Sequence, residues 1–246
     1  MIFKLNAPRI LLLVRLLMVL CAKMLLIRSC SPTTVNIEFR TLRACFNYAI
    51  KWHIIYDNPF KSSKTLRVPE SRPIYFTREE FIQMISMVRN DTLRDIFCFA
   101  VLTGMRQGEI LHLRWLDIDF DRRTIMVVNN ERFLTKTGIC RDIPMNDYVY
   151  KMLVERKKTS QGEYVFGSLS ESYVGHRFKS YVRGAGLSEE LHFHSLRHTF
   201  ATWLVQDGAS LYEIQKLLGH SDLKTTQVYA HLIPSLMHST VNRLVL

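Results

Sequence analysis

The sequence predicts a mainly α-helical protein with a small antiparallel β-sheet, an α+β fold built as two domains. Apolar residues recur every three or four positions through most of the chain after residue 31, which is the period of a helix that buries one face. Two short runs, 124–128 and 139–144, instead favour strands around one turn. The polar, basic stretch 61–73 shows neither period, and we expect it to link a small helical domain to a larger one.

The first helix is predicted to begin at Ser31-Pro32 and to reach about His53, before Asn58-Pro59 ends the helical region. One of its faces is apolar, and another holds Asn and basic residues but no acid. The alternative is that this second face is simply exposed to solvent. However, the face holds no acid, so it cannot form the salt bridges that are common on a solvated helix surface. Arg and Asn at helical spacing suit contacts with phosphates and base edges. The face comprises Asn36, Arg40, Arg43, Asn47 and Lys51.

Standard start and stop signals divide the region after the linker. Thr77 and Glu80 form a capping box before an apolar-periodic run, which predicts a helix there. Asp91 is the expected cap of the following helix, and Gly104 is its expected end. A further helix is predicted to start near Arg106.

The two predicted strands form a hairpin with Lys136 in its turn, and the default expectation for Arg141 beside it is an exposed side chain. Beyond residue 146 the pattern is helical to the end, interrupted by glycines. This pattern places Tyr229 within a helical run that starts at Ser221.

Composition excludes several classes of protein. Of the 246 residues, 48% are apolar, which is too many for a disordered chain, and 10 Gly and 7 Pro are too few for a fibrous or low-complexity protein. The five Cys form no C-x-x-C pair and their number is odd, so we expect free thiols in a reducing compartment. The formal net charge of +11 favours an anionic partner, with nucleic acid first and an anionic membrane surface second.

The positive charge is concentrated near the N-terminus. Residues 1–73 hold twelve Lys and Arg against three acids, whereas the remaining 173 residues hold 21 against 19. This asymmetry predicts a basic module that binds phosphates and is joined to a near-neutral domain. The linker contributes three expected DNA contacts, Lys61, Lys64 and Arg67.

Residues 10–27 form an unusual segment in which sixteen of eighteen residues are apolar. Arg15 and Lys23 each cost about 2.5–3.5 kcal/mol at a bilayer centre, and each apolar residue returns only about 0.3–0.6 kcal/mol, so membrane insertion is near break-even. A signal peptide fits poorly because Arg15 interrupts the apolar run and no A-x-A site follows. The segment is therefore a packed apolar helix, an ill-ordered or wrongly assigned start, or a membrane segment, and the last is the least expected.

Chemically capable residues lie at predicted element starts and in loops, where sites are usually built. Each signal is weak alone, because His-x-x-Arg pairs arise by chance and a Tyr on a terminal helix is usually a packing residue. The set is Arg106, Lys136, His194, Arg197, His220 and Tyr229.

Taken together, these residues resemble the tyrosine recombinase or phage integrase family. The pieces TGMRQGEILHLRW, TKTGICRDIPM, HSLRHTFATWL and LGHSDLKTTQVYAH occur in the order of that family, and the interval of nine from His220 to Tyr229 matches it. The resemblance covers residues 31–232 and implies a partial helical core-binding domain with a basic linker over 31–73. It also implies a catalytic domain with a C-terminal tail over 74–246, while residues 1–30 are an atypical apolar segment that departs from the family pattern.

The resemblance implies a site-specific recombinase of a mobile element that breaks and rejoins duplex DNA through a 3′-phosphotyrosyl link. Tyr229 is the implied nucleophile, and its phenol needs activation because its ordinary pKa is about 10. Arg106 and Arg197 are implied to clamp the phosphate, since guanidinium groups fork onto its oxygens. Lys136 is the implied general acid for the departing 5′-oxygen.

The histidines take supporting roles in this scheme. His194 is the implied base or proton shuttle to Tyr229, and His220 is implied to donate to the phosphate. Glu109 is expected to orient the site, and His198 is expected to be a core or supporting residue. A zinc site on His192, His194 and His198 is not expected, because no nearby carboxylate or Cys completes the ligand set.

The implied partner is double-stranded DNA, bound by a homotetramer on paired sites with the tail from Pro234 docked on a neighbouring subunit. Accessory DNA-bending proteins are further possible partners, and a cytoplasmic, nucleoid-associated location is expected. No cofactor or metal is expected, because the phosphotyrosine stores the bond energy. Two alternatives stay open: a DNA-binding protein of the same fold with impaired catalysis, such as an element remnant, and a type IB-like topoisomerase.

Overall fold

In the computed structural model the chain divides into two compact units, residues 1–71 and 72–246. The structure describes residues 30–62, 64–68, 72–128 and 140–232. The apolar segment 10–27, the hairpin turn with Lys136 and the tail from Pro234 lie outside these residues. The predicted mainly helical fold with a small antiparallel sheet is confirmed. Within the described residues, no helix combines the length and the apolar character needed to cross a membrane.

The first unit is built on helix α1, Pro32–Lys51. Its predicted start is confirmed, because the Ser31 side chain accepts a hydrogen bond from a backbone amide of the first turn. Phe60, in the segment that follows the helix, is fully buried and packs against Phe39 and Phe46 at ring-centroid distances of 6.0 and 5.4 Å. The chain therefore folds back onto α1 after Asn58-Pro59.

The second unit contains the remaining helices of the described residues. They are α2 Arg78–Ser86, α3 Asp91–Thr103, α4 Gln107–Leu111, α5 Asp147–Thr159, α6 Glu171–Gly184, α7 Ser195–Gln206, α8 Leu211–Leu218 and α9 Lys224–Gln227. Two short 3-10 turns, Trp115–Asp117 and Ala230–Leu232, accompany them.

The helix caps follow the sequence signals, with one correction. The capping box of Thr77 and Glu80 is present at the start of α2. Asn90, rather than the expected Asp91, caps α3 by accepting from a backbone amide at 2.9 Å. Asp91 instead occupies the first turn, where a carboxylate interacts favourably with the helix dipole. Gly104 ends α3 in the left-handed conformation, with φ of 63°.

A three-stranded antiparallel sheet in the order β1-β2-β3 joins α4 to α5. The strands are β1 Ile118–Asp119, β2 Thr124–Val127 and β3 Arg141–Pro144, so β3 is shorter than the predicted run 139–144. β1 has only two residues and was not expected. Along β3 buried and exposed residues alternate, and Arg141 shares the buried side with Ile143.

The core of the second unit centres on α3 and α7, which pack along each other. Most of α3 is buried, and Phe97 of α3 packs against Phe178 of α6 with ring centroids 5.2 Å apart. At the end of α3 the backbone of Gly104 meets Phe200 of α7 so closely that a Cβ there would lie 2.4 Å from the ring. This packing brings the end of α3 and the start of α4 against α7.

Candidate active site

Arg106 and Glu109 form the first part of the site, at the start of α4. Glu109 accepts from the backbone amide of Arg106 at 2.9 Å and from its guanidinium at 2.8 Å. The Glu109 side chain is 1% exposed, whereas that of Arg106 is 18% exposed. The turn after Gly104 thus presents a partly accessible guanidinium that a buried carboxylate orients.

Arg141 contacts the same carboxylate from β3. Its two terminal nitrogens donate to the two Glu109 oxygens at 3.1 and 2.6 Å. Its side chain is 5% exposed, so the expectation of an exposed arginine at this position is wrong. The alternation of β3 was the available signal, because it puts Arg141 on the same face as Ile143.

Two arginine partners also lower the pKa of Glu109. Burial alone would raise the pKa of this carboxyl, since an apolar environment disfavours the charged form. The hydrogen bonds and charge of Arg141, followed by the hydrogen bonds of Arg106, outweigh burial and leave the pKa below its ordinary value. Glu109 is therefore an ionised, fully paired carboxylate.

Arg197 lies on α7 and is 3% exposed. Its terminal nitrogens donate to the backbone oxygens of Gly104 at 2.7 Å and Leu218 at 2.6 Å, so it joins the ends of α3 and α8. Burial first, and then the charges of Arg106 and Arg141, lower the pKa of Arg197 to about 9. The guanidinium remains protonated at neutral pH.

Tyr229 follows α9 and precedes the 3-10 turn Ala230–Leu232, so the longer helical run expected from Ser221 is not present. It is 1% exposed, and its hydroxyl shares a hydrogen bond of 2.7 Å with Nδ1 of His198. Burial raises the pKa of Tyr229 to about 12, although the charge of Arg197 opposes the shift. The family resemblance implies that His194 is the base or proton shuttle to Tyr229, whereas the direct contact of the hydroxyl is with His198.

The histidines of the site are neutral at physiological pH. Burial first, and then nearby positive charge, lowers the pKa of His198 and of His220 to about 4. His220 follows Gly219 and is oriented by a 2.9 Å hydrogen bond between its Nδ1 and the hydroxyl of the buried Thr226. The more exposed His194 packs edge-on against His198, with ring centroids 5.0 Å apart. Partial burial of the His194 ring is the first cause of its lowered pKa, and His198 is the second.

The site therefore carries excess positive charge. The guanidinium groups of Arg106, Arg141 and Arg197 lie near the carboxylate of Glu109. The charge of each of these three arginines lowers the pKa of His220, and those of Arg106 and Arg141 also lower the pKa of Arg197. Neutral histidines add hydrogen-bonding groups without adding charge. Such an arrangement favours an anion with several oxygens, and a phosphate diester beside a phenol is the fitting chemistry.

The predicted DNA-contact residues fall into two groups in the first unit. The side chain of Asn36 is buried and makes two hydrogen bonds of 2.8 Å with the backbone of Leu66. Asn47 accepts from Asn58 at 2.6 Å, and Arg43 donates to the backbone of the segment after α1 at 3.2 Å. These three side chains stabilise the return of the chain onto α1. The remaining members of the set are exposed, and they are Arg40, Lys51, Lys61, Lys64 and Arg67.

Comparisons with known proteins identify the family of this chain. The sequence profile of the phage integrase family matches residues 75–235. The tyrosine recombinase XerC of Listeria monocytogenes is 30% identical over 228 residues, which span 87% of this chain and 76% of that protein. XerC of Pediococcus pentosaceus is 29% identical over 83% of this chain and 73% of its own length.

The fold of this chain is also similar to that of solved integrase structures. A Tn1549 transposon integrase in complex with transposon right end DNA is 25% identical, with a TM-score of 0.72 over 91% of this chain and 82% of the integrase chain. The profile covers more than half of the chain, and it includes the site residues from Arg106 to Tyr229. The chain therefore belongs to the phage integrase family of tyrosine recombinases.

Proposed function

We propose that this protein is a site-specific DNA recombinase that cleaves and rejoins duplex DNA through Tyr229. One observation carries the proposal: two arginines, Arg106 and Arg197, lie close to the Tyr229 phenol and to the neutral histidines around α7. The XerC relatives are named as tyrosine recombinases, and the Tn1549 integrase is bound to DNA, which supports the same assignment.

In the proposed reaction the Tyr229 oxygen attacks the scissile phosphorus while the phenol proton passes to a base. The bond from phosphorus to the 5′-oxygen breaks, and Lys136 supplies the proton to that leaving oxygen. Arg106 and Arg197 stabilise the charge that develops on the non-bridging oxygens. Attack by a 5′-hydroxyl on the phosphotyrosine reverses each transfer and rejoins a strand, so neither a metal nor ATP enters the balance.

His198 is the proposed first acceptor of the phenol proton, in place of His194. It already contacts the Tyr229 hydroxyl at 2.7 Å, and its lowered pKa keeps the ring neutral, so that Nδ1 can accept the hydrogen bond of the phenol. The same shift makes the ring a weak base, and we infer that the negative charge of a bound phosphate raises its pKa before the proton is transferred. Because Tyr229 is almost fully buried, we infer that a phosphate reaches it only after the segment around α9 shifts. His194 and His220 then act from the start of α7 and the end of α8, His220 as a donor to the phosphate.

The exposed basic residues of the first unit are proposed to bind the DNA backbone. Arg40 and Lys51 lie exposed on α1, and Lys61, Lys64 and Arg67 lie exposed after it. Asn36 is left out of this proposal because its polar atoms are already paired. A homotetramer on paired sites, tail docking from Pro234 and accessory DNA-bending proteins remain predictions from the family resemblance.

The proposal is tested with a nicked suicide substrate, in which cleavage releases a short fragment that cannot religate. The natural protein should form a covalent protein–DNA adduct, visible as a shifted band after denaturing electrophoresis. Tyr229→Phe removes only the nucleophilic oxygen, so it should bind the same DNA and form no adduct.

Two other outcomes separate the alternatives. DNA binding by the natural protein without any trapped adduct favours a protein with impaired catalysis. Relaxation of a supercoiled plasmid that lacks any target site favours a type IB-like topoisomerase instead.

A further inference from the structure

Arg141 is a buried side chain that holds three elements together. It is the first residue of β3, it pairs with Glu109 of α4 through two nitrogens, and its Nε donates to the backbone oxygen of Leu217 at 2.9 Å. It also lies directly against the chain at Gly219, where a Cβ would be 2.8 Å from its Cδ. One guanidinium therefore connects β3, the helix start that carries Arg106 and the helix end that precedes His220.

The carboxylate of Glu109 accepts four hydrogen bonds, and their division between Arg106 and Arg141 shows which arginine balances its charge. Oε1 accepts from the guanidinium groups of Arg106 and Arg141, at 2.8 and 3.1 Å. Oε2 accepts from the backbone amide of Arg106 and again from Arg141, at 2.9 and 2.6 Å. Arg141 alone can balance the negative charge of this carboxylate, because it is the more buried and doubly bonded partner. The charge of Arg106 is then left over for another anion.

We propose that Arg141 is a positioning residue for DNA cleavage, which holds and neutralises Glu109 so that the Arg106 guanidinium stays oriented and electrostatically available for the scissile phosphate. This inference rests on the proposed function. The Arg106 guanidinium already donates to Oε1 of Glu109 at 2.8 Å, and without Arg141 it would have to balance the charge of that carboxylate alone. Binding of DNA is then preserved, and stabilisation of the phosphate during cleavage is lost.

The test compares Arg141→Lys with the natural protein on two suicide substrates under single-turnover conditions. One substrate carries the ordinary scissile phosphodiester, and the other carries a methylphosphonate, in which a methyl group replaces a non-bridging oxygen and removes its charge. We expect the variant to cleave the phosphodiester about 10²-fold more slowly, as for a misplaced catalytic group. On the methylphosphonate the deficit should shrink to less than about tenfold, because less charge needs stabilisation.

Arg156→Lys is the matched control. Arg156 also donates to a carboxylate, Asp95 at 2.7 Å, and to a backbone oxygen, Val165 at 3.2 Å, in the same unit. Any rate deficit of this control should be equal on the two substrates. Arg141→Gln is the second test variant, since it keeps a donor but no charge, and single-turnover rate constants report only the folded molecules.

The outcomes are distinct. A deficit of Arg141→Lys or Arg141→Gln that is equal on both substrates, or no deficit at all, overturns the positioning role and leaves Arg141 as a packing residue. Failure of the natural protein to form an adduct with the phosphodiester overturns the proposed function itself, and the positioning role with it.

Discussion

Two buried arginines donate hydrogen bonds to the last carbonyl groups of α8. Arg141 donates to the oxygen of Leu217, and Arg197 donates to the oxygen of Leu218. The last carbonyl groups of a helix lack partners within the helix, and cations near them are favourable. The same two contacts fix the turn at Gly219, from which His220 enters the site. The cationic groups of the site are thus held by backbone oxygens as well as by Glu109.

A titration experiment tests the neutral state of His198. An ordinary histidine pKa is 6.5, and that of His198 is lowered to about 4, so the unfolded chain takes up a proton before the folded chain does. The stabilising effect of the neutral ring is complete above pH 6.5 and is lost as the pH falls toward 4. His198→Gln can still bond to Tyr229 but does not titrate.

The melting temperature of the natural protein should therefore fall across this range, and that of His198→Gln should fall less. The exposed His176 on α6 provides the control, and His176→Gln should follow the natural protein. Parallel curves for the natural protein and His198→Gln would contradict the neutral state.

At the scale of elements, local signals predicted most starts and stops, and tertiary contacts decided the rest. Ser31, Thr77 and Gly104 act as expected because caps depend on a few neighbouring residues. β1 escaped prediction because two residues carry no period, and the inward direction of Arg141 depends on a carboxylate 32 positions away. The pairing of Tyr229 with His198 likewise joins distant segments, so motif order identified both residues without showing that they touch.

The junction of α3 with α7 supplies a stability prediction. Gly104→Ala places a side chain at a φ of 63° and 2.4 Å from the Phe200 ring. The left-handed backbone costs about 1–2 kcal/mol and the overpacking about 1–3 kcal/mol, so the free energy of unfolding should drop by about 2–5 kcal/mol. Gly186→Ala is the matched control, because Gly186 has a φ of 67° but open space around its Cα. Chemical denaturation that gives equal losses for both variants would show that the close approach to Phe200 is not limiting.

At the scale of the whole molecule, charge is divided between two tasks. Residues 1–73 hold twelve bases and three acids, and the exposed ones among them suit backbone contacts that carry no sequence information. The rest of the chain is nearly balanced, and there a few placed cations determine the chemistry. Net charge alone predicted an anionic partner, but the burial of Asn36 and the contacts of Arg43 show that part of the polar face of α1 serves folding.

Salt dependence of DNA binding tests this division. Each phosphate contact removed should reduce the slope of log K against log salt concentration by about 1. The double variant Arg40→Gln, Lys51→Gln should therefore bind DNA less tightly, with a slope smaller by about 2. Asn36→Ala, in contrast, should lower the stability of the first unit without changing the slope. An unchanged slope for the double variant would remove α1 from the DNA-binding surface.

The identity of the residue that is joined to DNA tests the central claim most directly. An adduct trapped on the suicide substrate is digested with protease and nuclease, and the peptide that carries the nucleotide is sequenced by mass spectrometry. The modified residue should be Tyr229, linked to a 3′-phosphate, in the segment that follows α9. Modification of any other residue, or an adduct that persists in Tyr229→Phe, would contradict its assignment as the nucleophile.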